Sequence, residues 1–173
     1  VITNVRMDHV DEMGYTMEDI TRSLANTVPE NGKIITTTSP TSIIIKDKSI
    51  DNKSEYFEVS GDQIQSDMMT KFPYLEHNEN VALALEVCKQ VGVEEKTALS
   101  GMYQATPDPG ALQILTIPGK HKSNRFINAF AANDPQSTYQ IFELLKVHTD
   151  QNHIAIFLNA RSDRRYRTKQ MYE

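Results

Sequence analysis

Val1-Ile2-Thr3-Asn4-Val5-Arg6-Met7-Asp8-His9-Val10-Asp11-Glu12-Met13-Gly14 is the stretch that decides the fold. A short apolar, β-branched run ends at Asn4, and Asp8, His9 and Asp11 follow within seven positions. A strand that runs into polar, ligand-type residues is the pattern of a site at the carboxyl edge of an open α/β sheet. Amide and carboxylate oxygens with one imidazole suit a hard divalent cation, Mg²⁺ or Mn²⁺. The competing reading is local, because Asp beside His in a loop commonly forms a turn or a helix cap.

Working outward, Thr16 is a good N-cap and Asp19 stands three residues on, as in a capping box. Met17, Ile20, Leu24 and Val28 repeat at helical spacing, and Pro29 with Asn31-Gly32 ends that helix. Lys33 to Thr38 is β-branched and reads as a strand. Strand, helix and strand in this order predict parallel neighbours joined by a right-handed crossover. Ile43-Ile44-Ile45 reads equally as strand or buried helix, Glu55 to Val59 as a short strand, and Gly61 to Lys71 as a loop with a turn of helix.

From Asn78 the helical pattern returns. Val81, Ala84, Leu85, Cys88 and Val91 form a stripe closed by Gly92, and a second helix is expected over Glu94 to Tyr103. Thr106-Pro107-Asp108-Pro109-Gly110 is the strongest punctuation in the chain and predicts a stiff hinge, with domains at 1–106 and 107–173. Beyond it, Ala111 to Ile117 and Arg125 to Ala131 read as strands. Asp134-Pro135 opens a helix with Tyr139, Phe142 and Leu145 on one side. His153 to Leu158 reads as a strand buried on both faces.

The net charge of −5 argues against a general nucleic-acid binder, although Arg161, Arg164, Arg165, Arg167 and Lys169 crowd one end. A single cysteine, Cys88, leaves no internal disulfide framework and suits a reducing compartment. No apolar run approaches the roughly 20 residues of a membrane span. The chain opens inside an expected strand, without Met, and stops after a basic loop, so a fragment of a longer protein is expected.

Several stretches resemble one family in the right order. Asn4, Asp8-His9 and Asp11 are similar to the signature in the central domain of Mur ligases, ATP-dependent amide-forming enzymes that include folylpolyglutamate synthetase. His77-Asn78-Glu79-Asn80-Val81-Ala82-Leu83-Ala84 resembles their Asn-Ala-Leu-Ala helix start, and Pro107-Asp108-Pro109-Gly110 falls at their Pro-Gly hinge. The branch that makes capsular poly-γ-glutamate is nearest. Its likeness runs through Asn4 to Gly14, Ser23 to Gly32, Pro107 to Leu112, Asn128 to Pro135 and Leu158 to Arg165.

The resemblance implies an α/β fold: the C-terminal part of a Mur-ligase-like central P-loop domain, then part of a Rossmann-like C-terminal domain. It implies γ-glutamyl bond formation through an acyl phosphate, with ATP and Mg²⁺ (or Mn²⁺) as cofactors. It carries over His9 as a metal contact, with Asp8 and Asn4 supporting it and Asp11 read as a cap. Asn80, Asn133, Arg161 and Arg164 become the expected nucleotide or anion contacts, and no catalytic side chain is assigned.

Glutamate, the poly-γ-glutamate chain, membrane subunits of a synthase complex and further copies of the chain are the expected partners, with no nucleic acid. A cytoplasmic protein, peripheral at the inner face of the membrane, is expected. The departures are specific. Arg22 to Ala25 lacks the lysine that many Mur ligases carry, Ala111 stands in place of an arginine after Pro-Gly, and no Gly-x-x-x-x-Gly-Lys-Ser/Thr occurs in these residues. The chain by itself is therefore expected to be inactive. A non-catalytic assembly subunit is the alternative, and a small hydrolase built on Asp8, His9 and Asp11 is disfavoured for want of a nucleophile or base.

Overall fold

The structure, a computed structural model, describes residues 1–74, 76–106, 110–120, 122–132, 134–148, 154–159, 162 and 165–172. It divides into two compact units, residues 1–106 and 107–173.

The first unit is built on a short parallel sheet. Strand β1 (Lys33–Thr37) pairs in parallel with β2 (Glu55–Val59), in register from Lys33 with Glu55 to Thr37 with Val59. On the other side of β1 the opening stretch makes one parallel bridge, Ile2 to Thr36, in place of the full strand expected there. The Ile2 N–H donates to the Ile35 carbonyl at 2.9 Å, and Thr37 Oγ1 donates to the Thr3 carbonyl at 2.7 Å. The parallel order anticipated from the sequence holds at this bridge.

Helix α1 (Val10–Met13) is a single turn, and α2 (Met17–Ala25) follows it. Asp19 N–H donates to Thr16 Oγ1 at 3.1 Å while the Thr16 hydroxyl donates back to Asp19 Oδ2 at 2.7 Å, which satisfies an orphan donor of the first turn. Gly14 between the helices has φ 113°, and a Cβ there would overlap the Asp19 side chain, so only glycine fits. Helix α3 (Ser42–Asp51) resolves the ambiguous isoleucine run, because parallel β1 and β2 need a crossover between them.

Alternation along β1 separates two cores. Ile34 faces Ile2, Val5, Val10, Ile20, Ala25, Val28 and Ile45 beneath α2 and α3. Ile35 faces Val59, Ile64, Val81, Ala82 and Leu83 beneath α5 (Asn78–Gln90). A 3₁₀ turn (Gly61–Gln63), α4 (Ser66–Met69) and α6 (Glu95–Gln104) complete this second face, with Met68, Met69, Phe72, Leu99 and Met102 packed on it. The stripe expected on α5 is shifted. Val81, Ala82 and Leu83 are buried, Cys88 is half-buried, and Val91 at the C-cap is exposed.

In the second unit β3 (Gln113–Ile117) and β4 (Asn124–Asn128) form an antiparallel hairpin. Helix α7 (Pro135–His148) starts at Asp134, whose Oδ1 accepts from Ser137 N at 2.8 Å and whose Oδ2 accepts from the Ser137 hydroxyl. Ile141 and Leu145 on it are buried, while Tyr139, expected on the apolar side, is exposed. Helix α8 spans Arg165–Tyr172. The strand expected at 153–158 is not found over 154–158. Those residues are irregular and Ile156 and Phe157 are about four-fifths exposed, since no strand among the described residues lies alongside them. The hinge residues 107–109 lie outside the described residues.

Ile45 is completely buried where α3 meets the first core, whereas Ile43 is 55% exposed two residues earlier. Ile45→Ala is expected to cost about 2–5 kcal/mol by urea denaturation, against less than about 0.5 kcal/mol for Ile43→Ala. Equal losses would contradict this packing of α3.

Candidate functional site

The bridge at Ile2 fixes where the following residues go. The chain passes the carboxyl end of β1 and turns at Arg6 to Asp8, where Asp8 N–H donates to the Arg6 carbonyl at 2.8 Å. Val10, 2% exposed, then plugs the core and anchors α1. His9 is caught between the turn and the plug, and takes the left-handed conformation, φ 51° and ψ 36°. That conformation costs a β-carbon-bearing residue about 1–2 kcal/mol and is common at functional positions. It is retained because the His9 carbonyl accepts from both Glu12 N and Met13 N at 2.9 Å, and His9 N–H donates to Asp8 Oδ1 at 2.9 Å.

The backbone therefore aims the imidazole between two carboxylates. Nε2 lies 3.6 Å from Asp8 Oδ2, and Nδ1 lies 3.9 Å from Glu12 Oε2. Asp8 and His9, adjacent in sequence, lie with Oδ2 and Nε2 beside one another. The Asn4 side-chain oxygen instead faces the Arg6 guanidinium, 3.3 Å from Nε and 3.2 Å from Nη2. Asp11, read as a cap, is the second residue of α1, and the N-cap position belongs to His9. Glu12 carried no signal in the sequence, because its approach depends on the single turn of α1.

Two protein ligands on one Mg²⁺ at about 2.1 Å each, at a right angle, stand roughly 3 Å apart. Asp8 Oδ2 and His9 Nε2, at 3.6 Å, stand somewhat wider than that separation and would close by about half an ångström onto such an ion. Among the described residues no group of three His, Cys, Asp or Glu side chains could hold a metal ion. The pair accordingly fits a cation that takes its remaining ligands from water and phosphate, the usual habit of Mg²⁺ at a nucleotide. Such a cation would be held by Asp8 and His9.

The other expected contacts are placed less directly. Asn80 stands in the first turn of α5, and its Nδ2 donates to Glu76 Oε1 at 2.8 Å. The same oxygen accepts from His77 N–H at 2.7 Å, so Glu76 organises this helix start and His77 is its N-cap. Asn78 Nδ2 reaches the Gly61 carbonyl just after β2, which puts the start of α5 at the carboxyl end of the sheet. Asn133, Arg161 and Arg164 lie outside the described residues.

Two further features sit apart. Ser42 Oγ and the Tyr56 hydroxyl donate to the two oxygens of Glu58, at 2.8 and 2.9 Å. Burial first, and the Glu58 carboxylate second, push the Tyr56 phenol up to about 12, so it stays a donor. A cavity of about 510 Å³ between Ile64, Met68, Leu85 and Glu86 contains none of the expected site residues.

If the left-handed backbone at His9 is the local constraint, His9→Gly will be more stable than His9→Ala by about 1 kcal/mol in urea unfolding. An alanine variant as stable as the glycine variant would contradict it.

Against this geometry, the relatives are informative. Residues 114–173 match the family described as the poly-gamma-glutamate synthase CapB C-terminal domain. The chain is 36% identical over 171 residues to the PGA synthase CapB of Bacillus subtilis (strain 168), covering 98% of this chain and 44% of that protein. It is also 36% identical over 171 residues to the capsule biosynthesis protein CapB of Bacillus anthracis, of which it covers 37%. It thus spans less than half the length of either relative.

Among solved structures, a point mutant of L. casei FPGS superposes with a TM-score of 0.61 at 15% identity, over 85% of this chain and 42% of that one. An FPGS–AMPPCP complex gives the same score at 16% identity, with the same coverage. At these identities the likeness shows the fold, which is that of the Mur ligases. Along nearly its whole length the chain is similar to the poly-gamma-glutamate synthase CapB proteins, and its fold is that of the Mur ligases.

Proposed function

We propose that the chain is part of an ATP-dependent, Mg²⁺-requiring ligase that forms γ-glutamyl amide bonds and extends poly-γ-glutamate. The observation that carries this reading is the 36% identity to PGA synthase CapB along 98% of the chain. The meeting of Asp8 and His9 at the carboxyl end of β1 supports it. The FPGS neighbour in complex with AMPPCP supports ATP as the nucleotide.

In this chemistry a carboxylate is phosphorylated at the expense of ATP. The incoming amine then attacks the acyl carbon, a C–N bond forms and phosphate leaves. No nucleophilic side chain is required, so the protein's part is positioning and charge neutralisation. Mg²⁺, when bound, neutralises phosphate charge. Asp8 and His9 would fix where that neutralisation happens, with the imidazole lying between the Asp8 and Glu12 carboxylates. Asn80 and Asn133 are assigned to nucleotide contact on the strength of the family resemblance, and Arg161 and Arg164, from the basic run of the sequence, to contact with a phosphate or the anionic γ-glutamyl chain.

Glutamate and the growing polymer are the proposed substrates. A cytoplasmic location, peripheral at the membrane beside membrane subunits of a synthase complex, is proposed with them. No helix among the described residues is long and apolar enough to cross a membrane.

ATP- and Mg²⁺-dependent incorporation of labelled glutamate by the full-length protein tests the proposal. His9→Ala is expected to lower the rate at least about 100-fold, the scale for losing a group that holds transition-state charge. The 173-residue chain alone is expected to show no ligation, because its sequence holds no phosphate-cradling Gly-rich loop. Undiminished incorporation by His9→Ala, or ligation by the chain alone, would count against it.

A further inference from the structure

We infer that Glu12 is a positioning residue for His9: its carboxylate accepts from Nδ1–H and holds the ring proton there, so that Nε2 is presented, with Asp8, to a cation. The inference rests on the metal reading proposed above and goes one residue beyond it. The observations are the two distances to the ring, 3.6 Å from Nε2 to Asp8 Oδ2 and 3.9 Å from Nδ1 to Glu12 Oε2.

A neutral imidazole carries one ring proton and can satisfy only one of two flanking carboxylates as a donor. At the other nitrogen a bare lone pair faces a carboxylate oxygen, which is repulsive unless a proton or a cation lies between them. Asp8 is the better cation partner. It is fixed by its own backbone bond to Arg6 and by accepting the His9 N–H, and 31% of its side chain is exposed.

Glu12 is different. Its side chain is 79% exposed and free to rotate, so it can close the remaining gap onto Nδ1. With a cation between Asp8 and Nε2, the ring proton has to reside on Nδ1, and the carboxylate waiting there is Glu12. A carboxylate on the second nitrogen fixes the tautomer and orientation of a metal-bound histidine and raises its basicity. The single turn of α1 produces this arrangement. The His9 carbonyl accepts from Glu12 N, which brings the residue three positions on back over the ring.

Because Glu12 is exposed, its substitutions leave the core intact, which circular dichroism verifies. The test is Mn²⁺ binding, followed by electron paramagnetic resonance, together with ¹⁵N-histidine spectra recorded with Mg²⁺. The protein has five histidines, and His9→Ala assigns the relevant signal. Wild type is expected to show His9 protonated at Nδ1 in the presence of Mg²⁺. Glu12→Ala is expected to bind Mn²⁺ about tenfold more weakly and to lose that tautomer preference. Glu12→Gln, whose amide oxygen still accepts, is expected to restore most of both. Wild-type affinity and an unchanged tautomer in Glu12→Ala, with His9→Ala still weakened, would overturn the role of Glu12 alone. Wild-type affinity in His9→Ala would overturn the metal reading beneath it as well.

Discussion

Everything at the candidate site depends on how the first residues are tied to β1. The tie is small: one backbone bond from Ile2 to Ile35 and one side-chain bond from Thr37 to Thr3. Those two bonds set the register of the opening stretch against a strand buried from Ile34 to Thr37. Once Ile2 and Val5 enter the first core, Met7 packs against it only half-buried, and the next residue to be fully buried there is Val10. Arg6 to His9 must then span the distance between two buried anchors outside the sheet. The left-handed backbone at His9 follows from that closure, because a short link with both ends fixed has few ways to turn.

The layering explains why the link can be held so firmly. Ile34 and Ile35 point into different cores, so β1 is gripped from both faces and cannot slip by one residue without exchanging them. Thr21 and Thr41, joined hydroxyl to hydroxyl at 2.7 Å, tie α2 to the start of α3. Tyr56 and Ser42 hold Glu58 where β2 meets that helix. These polar contacts tie the strand ends to the helices around them, which suits the ligase proposed above, because such catalysis lies in placement rather than in a reactive side chain.

Much of this frame was legible from residues alone. Thr16 with Asp19 announced α2, the β-branched run at Lys33 announced β1, and Asp134-Pro135 announced α7, each through a local hydrogen-bond or torsional rule that packing did not override. Ile43 to Ile45 could not be assigned, because three successive isoleucines fit both periods, and only the parallel pairing of β1 with β2 demands a helix. The run at 154–158 misled because apolarity marks what a strand wants to bury and is silent on whether a neighbouring strand is there. At the site, Asp8 and His9 were legible because they are adjacent. The torsion at His9 and the approach of Glu12 were not, since both arise from anchors, Ile2 and Val10, that flank the motif.

The central claim is that the imidazole of His9 touches the metal. It is tested most directly in the full-length protein by changing the softness of that one ligand, His9→Cys, and measuring ligation with Mg²⁺ and with Zn²⁺ in turn. The account predicts that the variant loses Mg²⁺-supported ligation and regains a measurable part of it with Zn²⁺. Equal loss with both metals, or full activity with Mg²⁺, would contradict it.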